Sequence, residues 1–127
     1  MFGDDSNNLF VGVESPIALN DGAWHHVAGS WSATAGTAVS SSQFSLYVDG
    51  AKVVSPVSLS IGNDNSPLSG SGGQLLGFHQ SWNVFFRGSM DEVRISNAVR
   101  SSGWIATVYT NQSNPAAFLT LGQEQCK

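Results

Sequence analysis

The chain reads as an all-β protein of antiparallel sheets with one short helix near its C-terminus. Three observations predict this. Short stretches that alternate apolar and polar residues recur along the chain, separated by clusters of Gly, Asn, Asp, Ser and Pro. Asp49-Gly50 sits between two such stretches with the chemistry of a two-residue hairpin turn, in which both central residues take positive φ. Helical spacing is confined to Trp104, Ile105, Val108 and Tyr109.

Leu9–Val13 alternates as a strand, and Pro16 stops it because proline has no N–H to give a ladder. Leu19-Asn20-Asp21-Gly22 is a turn by composition and delivers the chain into a strand over Trp24–Trp31. Ser32–Ser42 is a small, polar loop. Phe44, Leu46 and Val48 alternate with Ser45 and Tyr47, Asp49-Gly50 turns the chain, and Lys52–Val54 returns as a hairpin. Val57–Ile61 alternates again. Gly62–Gly73 is the longest loop, either a surface flap or a binding loop. Leu75–Phe78 is a strand, His79–Asn83 a short loop carrying Trp82, and Val84–Phe86 a further strand. Met90–Ile95 follows, with Met90, Glu92 and Arg94 on one face and Asp91, Val93 and Ile95 on the other. Ser101 or Ser102 caps the helix, Asn111–Pro115 ends it, and Phe118–Leu121 is a last strand. About nine short strands at this spacing make a sandwich or a barrel.

At 127 residues the chain is one domain by length, running from 1 to 127. Charged residues are 11% of it and the net charge is −4. The cations are scattered at Lys52, Arg87, Arg94, Arg100 and Lys127, which excludes the clustered basic face of a nucleic-acid binder. Cys126 is the single cysteine, so no intrachain disulfide supports the fold. Met1–Asp5 lacks the basic start and apolar segment of a signal peptide. No run reaches the length of a membrane-inserting span.

Three strings, "DGAWHHVAGSW", "FSLYVDGAKVV" and "FFRGSMDEVRIS", together resemble the laminin-G-like, concanavalin-A-like jelly-roll family, over roughly Leu19 to Gly122. The resemblance implies an antiparallel β-sandwich of the jelly-roll type. It also implies a place outside the cell or on its surface, within a longer bacterial protein whose export signal lies elsewhere. The expected function is non-catalytic binding of a carbohydrate or cell-surface glycan. The alternative is a structural or protein-interaction domain for assembly or adhesion, with no small ligand. Domains of this type usually begin with more strands before the W-H-H-V-A strand, so the chain looks short at its N-terminus. Exposed sheet edges then predict a homo-oligomer.

Candidate site residues divide by chemistry. On a strand His25 and His26 face opposite ways, so they do not share a metal and read as packed, hydrogen-bonded residues of the sheet. Asp91-Glu92 are adjacent and likewise opposed, so they are not the facing carboxyl pair of a glycosidase; the jelly-roll glycosidases carry alternating acids, and no such string occurs. Catalytic residues are therefore not assigned. The resemblance implies a structural calcium that uses Asp91. Its partners would come from Asp4, Asp5, Asn7 and Asn8, or from Asn63, Asp64 and Asn65, since calcium takes several loop oxygens. Trp82, flanked by His79, Gln80 and Asn83, is the candidate platform for a sugar, with the Gly62–Gly73 loop beside it. Trp24, Trp31 and Trp104 read as core.

Overall fold

The computed structural model describes residues 2–6, 9–32, 34, 37, 40–54, 57–61, 76–79, 84–118 and 122. Strands β1 (Phe2–Ser6) and β2 (Leu9–Glu14) form an antiparallel pair, and β6 (Val57–Ile61) closes on the other side of β2. A second antiparallel sheet has the order β3 (Val27–Trp31), β4 (Phe44–Val48), β5 (Ala51–Lys52). A third pairs β7 (Phe78–His79) with β8 (Val84–Phe85). The C-terminal part holds helix α1 (Ser102–Ser113) and a single turn, α2 (Pro115–Phe118). The antiparallel sheets and the C-terminal helix agree with the sequence reading.

The core lies between β2 and the β4–β5 hairpin. Phe44, Leu46 and Val48 alternate on one face of β4 and are buried together with Val53 and with Val13 of β2, while Leu19 packs against them. Tyr47, on the opposite face of β4, is buried as well. The hairpin forms as its sequence demands: Asp49 takes φ 49° and Gly50 φ 76°, the two positive values of a type I′ turn. Gly50 is required for a second reason. A Cβ there would stand 2.9 Å from Tyr109 Cδ1 and 3.2 Å from Ala106 Cα, so α1 sits directly on the turn.

Helix α1 starts where a serine can cap it. Ser101 Oγ accepts the Trp104 N–H at 3.2 Å, satisfying one of the free donors of the first turn. Ile105 is buried, and Val108 and Tyr109 are half-buried beside it. Asn114 closes the end, donating its N–H to the Thr110 carbonyl at 2.9 Å, and Pro115 cannot continue the ladder.

Several expectations are corrected. The strand at Trp24–Trp31 begins only at Val27, because His25 and His26 are drawn into side-chain hydrogen bonds. Trp24, Trp31 and Trp104 are not core: they are exposed at 71%, 36% and 43%. Trp31 instead leans on Phe44 and donates its indole N–H to Gln43 Oε1 at 3.2 Å, and Trp104 lies under the Arg100 guanidinium at 5.0 Å. Met90–Ile95 forms no strand. Glu92 takes φ 52°, left-handed backbone that no ladder accommodates, and the Asp91 carboxylate accepts the Glu92 N–H at 2.8 Å in place of a cross-strand partner. Phe118 is helical rather than the start of a strand; residues 119–121 lie outside the described residues. A strand unforeseen in the sequence, β1, precedes β2.

Candidate functional site

A connected polar constellation lies where the chain enters β3, against the hairpin turn. Asp21 Oδ1 accepts the Ala23 N–H at 2.8 Å, an Asx turn that Gly22 completes at φ 84°. This turn sets Trp24 in solvent and aims the next residue inward. The His25 ring is held at both nitrogens, Nδ1 2.8 Å from Asp49 Oδ2 and Nε2 3.0 Å from Asp21 Oδ1. The other oxygen of Asp49 accepts the His26 N–H at 3.0 Å, and the Asp49 N–H donates to the His26 carbonyl at 2.8 Å. Asp49 thus closes the hairpin turn and fastens the strand entry to it. His26 faces α1, its ring 6.1 Å from that of Tyr109, and its Nδ1 is buried without a partner among the described residues.

The electrostatics follow from the geometry. The ring form that satisfies both carboxylates is the imidazolium, which donates from both nitrogens. The hydrogen bond to Asp49 and then that to Asp21 accordingly raise the His25 pKa. Asp49 is pulled below the ordinary carboxylate range chiefly by His25. Asp21 is lowered first by the Ala23 N–H and then by His25. Chemically this is a charged clasp. With both nitrogens engaged by carboxylates, His25 is not set against a nucleophile in the manner of a hydrolase triad.

Of the residues singled out for a sugar, His79 lies in β7 opposite Val84, while Trp82, Asn83 and the loop over residues 62–75 are outside the described residues. Of the acidic set, Asp4 and Asp5 stand in β1 opposite Val11 and Phe10, and Asp64 is outside the described residues. Asp91 is exposed with its Oδ1 on the Glu92 N–H, and Glu92 pairs with Arg94 Nη2 at 2.6 Å. Among the described residues no group of three or more His, Cys, Asp or Glu side chains is arranged to hold a metal ion. Among the same residues no helix is long and apolar enough to cross a membrane.

The clasp was missed in the sequence because its partners are far apart. Asp49 reads as half of a turn and Asp21 as half of another. The one local signal was the four-residue step from Asp21 to His25.

Residues 1–106 match a family model of laminin G type, described as the concanavalin A-like lectin/glucanases superfamily. No curated protein and no solved structure gives a match.

Proposed function

We propose that this chain, which belongs to the concanavalin A-like lectin/glucanases superfamily, is a non-catalytic module that binds a carbohydrate or cell-surface glycan outside the cell. The jelly-roll sandwich of that superfamily is part of the same reading. The observation that carries it is Trp24: an indole 71% exposed, placed on a turn that the Asp21–His25–Asp49 clasp holds in shape. Aromatic faces stack on the apolar faces of sugar rings, and neighbouring carboxylates accept their hydroxyls. A rigid support keeps the ordering cost of such a contact low. Trp82 with His79 and Asn83 is retained as a second platform, supported by composition. A structural calcium at Asp91 belongs to this proposal too, supported by the exposed position of that carboxylate.

A glycan array read with and without calcium, on the wild type, Trp24→Ala and Trp82→Ala, tests this. The expected result is specific binding that Trp24→Ala weakens at least tenfold while the melting temperature stays put. Binding lost only in Trp82→Ala moves the site to the second platform. No binding by any folded form overturns the reading in favour of a structural or protein-interaction domain. A calcium titration that leaves Tm unchanged removes the metal from the proposal.

A further inference from the structure

Among the described residues β3 pairs with β4 alone and so forms one edge of the described sheet. The polarity of its two edges can be read from the ladder. Asp49 N–H donates to the His26 carbonyl and Ser32 N–H to the Gln43 carbonyl, so the even-numbered residues bond toward β4. By the alternation of an antiparallel pair, Val27, Gly29 and Trp31 turn their N–H and C=O groups to the free edge. The same three residues share a face with Val48, Leu46 and Phe44, their opposite numbers. On that face the β4 residues are 5–7% exposed, yet Val27 is 54% and Trp31 36% exposed. The strand reads VAGSW and carries no charge to repel a neighbour.

We propose that the free edge of β3 pairs antiparallel with β3 of a second copy of this chain, about a two-fold axis through Gly29. The strand is self-complementary in that register. Gly29 opposes Gly29 of the other copy, Val27 opposes Trp31, Ala28 opposes Ser30, and the reverse. Val27–Trp31 is a β-branched–aromatic pair, repeated twice by the symmetry. It covers the two apolar side chains that β3 leaves open. The outward N–H and C=O groups of Val27, Gly29 and Trp31 bond to those of the other copy, giving one six-stranded sheet of order β5-β4-β3-β3-β4-β5. The φ of Gly29 is not in the left-handed region, so its backbone admits other residues. A five-residue edge is a small contact, so the dimer is weak and concentration-dependent. The assembly is independent of any sugar, and its test does not use one.

Sedimentation velocity across a concentration series tests it first, with a monomer–dimer equilibrium expected. Gly29→Cys in a Cys126→Ser background is expected to give an interchain disulfide under mild oxidation, because directly opposed hydrogen-bonded residues have Cα atoms about 5.5 Å apart, within disulfide reach. Trp31→Cys in the same background is expected not to cross-link to itself. Gly29→Glu and Gly29→Lys each place like charges in opposition and are expected to weaken dimerisation at least tenfold, while a mixture of the two restores it. A monomer at every concentration overturns the proposal, and so does a dimer in which Gly29→Cys fails to cross-link. If the charged variants unfold, as circular dichroism would show, the cysteine pair decides alone.

Discussion

His25 is the residue through which pH enters this fold, because two carboxylates share one imidazole. Its pKa is raised, so the ring's contribution is fully present below its ordinary value of about 6.5 and is lost as pH climbs through the raised one. Asp21 and Asp49 have lowered values, so theirs is present above about pH 4 and is lost as pH falls through the depressed ones. The clasp is therefore strongest from about pH 4 to about pH 6.5 and weakens above that. His25→Ala is expected to lower Tm by a few degrees within that window, with the gap to wild type closing in alkaline buffer; melts at four pH values check it. At the hairpin, Gly50→Ala is expected to cost about 1–2 kcal/mol for the left-handed backbone alone, and more because the new Cβ meets Tyr109 and Ala106; urea unfolding measures it. The turn itself was legible, since Asp-Gly between alternating runs has a local cause. The clasp was not, because Asp49 meets His25 only once β3 and β4 are in register.

Among the elements, α1 and Met90–Ile95 show where local chemistry decides and where it does not. Helix α1 follows from a serine cap, a run with apolar spacing and a proline stop, all within one stretch. Ser101→Ala is expected to destabilise by about 1 kcal/mol, seen as a lower urea midpoint with unchanged slope. Met90–Ile95 has the alternation of a strand but not its backbone: Glu92 is left-handed and Val93 and Ile95 are exposed. Glu92→Gly is expected to be neutral or stabilising by up to about 1 kcal/mol, contrary to the usual effect of glycine, because it removes the left-handed penalty. The exposed Glu92–Arg94 pair that it also removes adds little. Thermal or urea unfolding of this variant checks the sign.

At the scale of the whole molecule, the buried apolar side chains among the described residues are concentrated where Val13 of β2 meets Phe44, Leu46 and Val48 of β4. Leu46, only 5% exposed, is central to it, and Leu46→Ala is expected to cost about 2–5 kcal/mol, enough to unfold a marginal domain. Trp24→Ala, at a far larger residue, is expected to leave stability nearly unchanged, because that indole is already in water. Comparing the two by urea unfolding separates the tryptophan that faces solvent from the leucine that holds the sheets.

The sequence by itself determined the features with short-range causes: antiparallel strands from alternation, the hairpin from Asp49-Gly50, the helix from Ser101 and its spacing, and the family from three strings read together. Tertiary structure decided what depends on which strand lies beside which. It placed Asp21 and Asp49 on either side of His25, and it left Trp24, Trp31 and Trp104 in solvent although their composition reads as core. The physical reason is one of range. A strand's period records which residues share a face, but whether that face is covered depends on what the rest of the chain lays over it, and on β3 Val27 and Trp31 stay exposed although their opposite numbers in β4 are buried.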